Sequence, residues 1–187
     1  LPNDQAKYFK YTYTIPEGYE TITKSELVLP TITNPSESAN YQIGGSAVNN
    51  AAGNDYGNIE NKVFKGNKVS GKIKVRGTKY KYLYVQGGAI YNDGIVGNVN
   101  ADFIDNIVTV KTEGSAASSI VYGGAIYNND TMGNINGHFV NNAATGLPGD
   151  GMGINIDVYG GAIYNAKSAT IGNIDGNFVG NYVKTWS

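Results

Sequence analysis

Gly123-Gly124-Ala125-Ile126-Tyr127-Asn128, followed by Gly133-Asn134-Ile135 and then by Phe139-Val140-Asn141-Asn142, decides how this chain folds. The same three motifs recur in the same order at 87–92, 97–99 and 103–106, and again at 160–165, 172–174 and 178–181. A degenerate set precedes them: Gly44-Gly45-Ser46-Ala47-Val48-Asn49, then Gly57-Asn58-Ile59, then Phe64 to Asn67. The glycine pairs are spaced 43, 36 and 37 residues apart, a period that belongs to stacked-repeat architectures. Helical repeats of that length need apolar residues at i, i+3 and i+4. These motifs are instead short, β-branched and punctuated by Gly and Asn. They predict an all-β parallel solenoid over 44–187.

Each motif has a physical reading within such a coil. Alternation along Ala-Ile-Tyr sends Ile90, Ile126 and Ile163 inward and places Ala89, Tyr91 and their equivalents on the opposite face. Phe103, Phe139 and Phe178 form a second inward column. The glycine pairs allow a tight corner where a Cβ would clash. Asn92, Asn128 and Asn165 end strands, and Asn106, Asn142 and Asn181 stack as amide ladders. Variable spacers between constant motifs predict two coils per repeat, each of about 18 residues, and about eight coils in all.

Residues 1–43 lie outside the repeat and predict an N-terminal β cap or arm over the open end of the solenoid. Phe9, Tyr11, Tyr13 and Ile15 alternate with Lys10, Thr12 and Thr14, a strand pattern suited to pairing with an exposed edge, so they form a candidate assembly arm. The start Leu1-Pro2-Asn3-Asp4, with no Met and no signal-type apolar stretch, predicts a processed product or an excised segment. No apolar run is long enough for a transmembrane helix. Cysteine is absent, which excludes disulfides and thiolate metal sites.

The net charge of −1 hides a segregated pattern. Residues 1–60 carry 3 basic and 7 acidic groups, 61–92 carry 8 basic and none acidic, and 93–187 carry 3 basic and 8 acidic. Within the basic waist, Lys72, Lys74 and Arg76 share one face of a strand. Tyr80, Tyr82 and Tyr84 then alternate with Lys79, Lys81 and Leu83. This stretch reads either as an ordinary strand with a solvated basic face or, through these lysines, tyrosines and Arg76, as a candidate surface for a glycan or a neighbouring subunit. Charge interleaved with aromatics also suits nucleic acid, but the rest of the chain is acidic and no nucleic-acid partner is expected.

Repeated Gly-Gly-Ala-Ile paired with Phe-x-x-Asn resembles the passenger domains of chlamydial polymorphic outer membrane proteins and other bacterial autotransporter-type surface proteins. The resemblance covers 44–187 and implies a right-handed parallel β-helix, exported to the extracellular space or the bacterial cell surface, and adhesive. The shared motif is a fold signature and transfers no catalytic residue.

The residues themselves give no enzyme. Glycan cleavage needs paired carboxylates, and lyases add a metal or an arginine. This chain has a single Arg, Arg76, and a single His, His138, whose repeat equivalents Asp102 and Asn177 predict an outward, solvated position. Asp150 and Asp157 flank a glycine-rich spacer with no regular calcium-loop spacing. No cofactor is expected. The sequence therefore predicts a non-catalytic structural or adhesive solenoid that meets a host or neighbour cell surface and its glycans. The alternative is a filament subunit that assembles with itself head to tail by strand exchange. A glycan-degrading β-helix enzyme is the remote third reading.

Overall fold

The computed structural model describes residues 12–33, 40–75, 81–114, 117–150 and 154–185. Among them there is no helix, and every strand pairing is parallel. The chain winds as a parallel β-solenoid of about four turns, crossing five faces in the same order on each turn.

One face is built from Ile59–Lys65, Val99–Ile104, Ile135–Asn136 with Phe139–Val140, and Ile174–Asp175 with Phe178–Val179. It carries the phenylalanines. Next comes a lysine-bearing face of Lys68–Val75, Ile107–Gly114, Ala143–Pro148 and Tyr182–Thr185. A tyrosine-bearing face follows, from Asn40–Gly44, Lys81–Gln86, Ala117–Tyr122 and Asn155–Tyr159. After the glycine corner comes the isoleucine face of Val48–Asn50, Ile90–Asn92, Ile126–Asn128 and Ile163–Asn165. A short face of Ile95–Val96, Thr131–Met132 and Thr170–Ile171 closes the turn.

The expected two coils per repeat are corrected to one. Phe103 pairs with Phe64 on one side and Phe139 on the other, and Ile126 pairs with Ile90 and Ile163. Each register step is therefore a whole repeat. The glycine motif and the phenylalanine motif lie on opposite sides of the same turn and face each other across one core, which holds Ile90, Ile126, Phe103 and Phe139 together. The first copy is also shifted by one residue. Val48 pairs with Ile90 and Asn50 with Asn92, so Gly45-Ser46 corresponds to Gly87-Gly88. Ala89 and Ala125, expected outside with the tyrosines, are fully buried in the core beside the isoleucines.

The columns explain the motifs. The phenylalanine rings stack with centroids 5.1, 4.8 and 4.6 Å apart from Phe64 up to Phe178. Asn67, Asn106, Asn142 and Asn181 form one amide ladder. In it the Nδ2 of Asn106 donates to Asn142 Oδ1 at 2.9 Å and that of Asn142 to Asn181 Oδ1 at 2.8 Å. Asn50, Asn92, Asn128 and Asn165 form a second, with steps of 2.7, 2.7 and 2.8 Å. Buried amides need partners, and each rung supplies them to the next. In Gly-Asn-Ile/Val the asparagine does a third job. Asn98 Oδ1 accepts the backbone N–H of Asn134, and Asn134 Oδ1 accepts that of Asn173. The glycine of the motif leaves room for this: a Cβ on Gly133 would stand 2.7 Å from Asn98 Oδ1. The corner glycines are set by two different demands. Gly123 has φ +64°, and a Cβ on Gly124 would stand 2.1 Å from the carbonyl oxygen of Gly161 on the next turn.

Residues 20–33 run along the first turn. Glu20–Ile22 pairs with Ile59–Lys65 and Leu27–Thr33 with Lys68–Val75, both parallel. Ile22 thereby occupies the phenylalanine column below Phe64.

Candidate functional site

The outer surface carries the side chains that the columns do not use. Lys72 and Lys74 project from the lysine-bearing face, with Ile73 and Val75 buried behind them, as alternation predicts. They do not form a bare cationic patch. Glu113, one turn further on, lies 3.1 Å from Lys72, 3.9 Å from Lys74 and 2.8 Å from Lys111. Hydrogen bonds from Lys111 and Lys72 pull its carboxyl down to about 2. Lys68 pairs with Glu26 at 3.1 Å, and Lys62 pairs with Glu20. The positive waist is thus stitched to acidic residues from neighbouring turns. Arg76, Lys79 and Tyr80 lie outside the described residues, as does the Lys81 side chain. Tyr82 and Tyr84 lie on the tyrosine-bearing face, a different sheet from Lys72 and Lys74, with Leu83 inward between them and ring centroids 6.4 Å apart.

Of the candidate arm, Phe9 and Tyr11 lie outside the described residues. Tyr13 rests against its own chain: its hydroxyl donates to Asp102 Oδ2, while Tyr19 donates to Asn100 Oδ1 at 2.9 Å. The two rings cover an outward apolar stripe of Val63, Ile104 and Val140. Ile15 is exposed. This strap overturns the solvated reading of the Asp102 position. Asp102 points outward but is only 3% exposed, because Tyr13 lies over it and the backbone N–H of His138 donates to its other oxygen at 2.6 Å. His138 Nδ1 meets Asn177 Nδ2 at 3.3 Å.

A denser outer feature sits at the glycine corner. Tyr122 and Tyr159 precede the glycine pair on one face, and Tyr91, Tyr127 and Tyr164 follow it on the next. Tyr91, Tyr127 and Tyr164 stack with centroids 5.4 and 5.8 Å apart. Tyr122 stacks on Tyr159 at 5.5 Å and closes against Tyr164 at 4.2 Å, so the two columns meet in a continuous aromatic corner. The glycines permit this closure: a Cβ on Gly44 would stand 2.8 Å from the Tyr91 ring, and one on Gly160 3.1 Å from Tyr164 Cβ. Burial, reinforced by the neighbouring phenols, pushes Tyr122 up to about 12. Burial also raises Tyr127 and Tyr91. Beneath Tyr122 in the same column lies Gln86, whose buried Oε1 has no hydrogen-bond partner. The sequence signal for this corner was the tyrosines on both sides of the last two glycine pairs, Tyr122 and Tyr127, then Tyr159 and Tyr164.

Among the described residues, no three His, Cys, Asp or Glu side chains gather as metal ligands, and no helix is long and apolar enough to cross a membrane. No family model, no curated protein and no solved structure matches this chain.

Proposed function

We propose that this chain is a non-catalytic structural module of an exported protein, displayed outside the cell or on a bacterial surface, and that its aromatic corner is an adhesive face. The reading extends the likeness of its repeats to autotransporter-type passenger domains. The tyrosine corner carries it. Core columns account for the recurring Ile, Phe, Gly and Asn, whereas a continuous outer wall of phenols is not needed to close a turn. Tyrosine joins a rigid apolar ring to a hydrogen-bonding tip, which suits recognition of sugar rings and of neighbouring protein surfaces. Tyr91 and Tyr127 are only 8% exposed, and Tyr159, 47% exposed, is the accessible ring of that wall; Tyr82, 38% exposed, stacks on Tyr84 on the same tyrosine-bearing face.

The reading is tested by binding of the purified chain to a glycan array and to intact cells, compared with Tyr159→Ala and Tyr82→Ala. The expected result is saturable binding weakened at least about tenfold by either change, or ~1.4 kcal/mol. Binding insensitive to both substitutions refutes the adhesive face. Depolymerisation of any captured glycan refutes the non-catalytic reading.

A further inference from the structure

The fold gathers cations onto one face, away from the aromatic corner. Lys68, Lys72, Lys74 and Lys111 project from the lysine-bearing face, and Lys184 continues it next to Thr145. They outnumber the carboxylates beside them, those of Glu26, Glu113 and Asp150. The whole chain carries −1, so this excess is local. Glu113 does not cancel it at the surface. Its side chain is 16% exposed, whereas those of Lys72, Lys74 and Lys111 are 37, 41 and 48% exposed. The carboxylate is sunk and gathers ammoniums that stand outside it. We infer that this face is a binding groove for a sulfated polysaccharide.

A break in the sheet builds the groove. Leu27–Thr33 loses register against Lys68–Val75 between Leu29 and Ile32, so Pro30 and Thr31 pair with no residue of that strand. Proline has no N–H to give to a ladder, which suits it to this irregularity. The unpaired residues wall a groove of about 520 Å³, a volume in the range of small-ligand sites. Its floor carries the hydroxyls of Ser70 and Thr109, which lie in register with each other and with Thr145. Lys68, Lys72 and Lys111 rim it. The groove spans the adjacent strands from Leu27–Thr33 to Ile107–Gly114 and reaches Leu147.

Three properties choose the occupant. First, a hydroxyl floor between ammoniums offers partners to sugar hydroxyls and to anions together. Secondly, none of the described lining residues is aromatic, so the stacking that single-stranded nucleic acid uses is missing. Thirdly, Lys72, Lys74 and Lys111 all lie within 3.9 Å of one glutamate. Ammoniums so close together ask for more than one negative charge in the span of a sugar. Sulfate esters supply that, and one carboxylate per sugar does not. Ion pairs this exposed hold weakly, so the lysines can turn from Glu113 to a sulfate at little cost. The inference is independent of the adhesive corner, which lies on other faces and has its own test.

The test is titration of the chain with a heparin oligosaccharide at fixed ionic strength, followed by calorimetry. Polygalacturonate, with one carboxylate per sugar, and polyglutamate, an acidic peptide, are the comparison probes. The expected result is saturable heparin binding, weakened at least about tenfold by Lys72→Gln with Lys111→Gln and retained by Lys72→Arg with Lys111→Arg. Lys62→Gln with Lys167→Gln removes the same charge from other parts of the surface and should leave the affinity unchanged. Circular dichroism of each variant confirms the fold. No heparin binding, equal weakening by the two glutamine pairs, or no weakening by the first overturns the inference. So does binding of polygalacturonate or polyglutamate as tight as that of heparin, which would make a plain carboxylate polymer the occupant.

Discussion

Replacing Asn106 by alanine tests whether amide ladders hold the turns together. Asn106 is fully buried. Its Oδ1 accepts from the Asn67 backbone N–H and from Asn67 Nδ2, both at 3.0 Å. Its Nδ2 donates to the Phe64 carbonyl and to Asn142 Oδ1, both at 2.9 Å. Alanine removes four hydrogen bonds at once and leaves their partners away from water. At about 1 kcal/mol for each bond, the loss is roughly 4 kcal/mol, and more where a partner stays wholly unpaired. Asn165 sits at the exposed end of the other ladder. It accepts from Asn128 Nδ2 at 2.8 Å and donates to the Ala169 carbonyl at 3.0 Å, where water can replace it. Asn165→Ala should then cost about 1 kcal/mol or less. Asn106→Asp keeps the shape and the accepting oxygen but sets a second oxygen against the Phe64 carbonyl and Asn142 Oδ1, so it should destabilise at least as much as alanine. Urea denaturation gives the free energies. Amide exchange shows whether the loss is global or confined to neighbouring turns, as a one-dimensional array allows. A cost below about 1 kcal/mol for Asn106→Ala, or equal costs at Asn106 and Asn165, would refute the ladder as a source of stability.

Other positions give independent checks. Phe139→Ala, which leaves a void between rings 4.8 and 4.6 Å away, should cost about 3–5 kcal/mol, and Phe178→Ala, half exposed at the end, less than half of that in the same denaturation assay. Gly124→Ala should destabilise by at least about 1–3 kcal/mol because its methyl meets the Gly161 carbonyl at 2.1 Å, and the thermal midpoint should fall below that of Gly53→Ala, where no atom lies within 4 Å and the left-handed φ of +79° is the only strain. The tyrosine corner should make the fold alkali-sensitive: Tyr122 is raised from 10 to about 12 in the folded chain, so its contribution is complete below pH 10 and is lost as pH rises through about 12. Tyrosinate absorbance followed in parallel with circular dichroism should show a late-ionising class of phenols that titrates together with unfolding.

The period, the parallel stacking and the identity of the inward columns were legible in the sequence because each turn repeats the same side chain at the same place. The number of turns was not. Gly-Gly-Ala-Ile-Tyr-Asn and Phe-x-x-Asn each look like a strand with its own corner, and nothing in a linear pattern says whether they stack on one another or face across a core. Only the pairing of Phe103 with Phe139, and of Ile90 with Ile126, settles that they share a turn. The same gap hid the fate of the basic waist. Residues 61–92 contain no acid, but a turn of this length brings Glu113 beside Lys72 and Lys74. The tyrosine corner was missed for a related reason. Alternation gave the direction of Tyr91 and Tyr127 correctly, but not the fold of the corner that brings Tyr122 against them.

The position just before the repeat phenylalanine shows where repeat logic stops. It is Val63, Asp102, His138 and Asn177 in successive turns. All four point outward at equivalent sites of one sheet, and a purely periodic argument gives them one environment. They have several, because the strap of Tyr13 and Tyr19 crosses only part of the stack. Val63 is buried beneath it, Asp102 binds it, and Asn177 stands clear in solvent. Inward columns must repeat, since every turn closes over the same core. Outward positions are free to differ, and whatever lies against them decides which residue is tolerated. What distinguishes this solenoid from any other built on the same motifs is therefore carried by its outer positions: the strap, the Glu113 lysine cluster and the tyrosine corner.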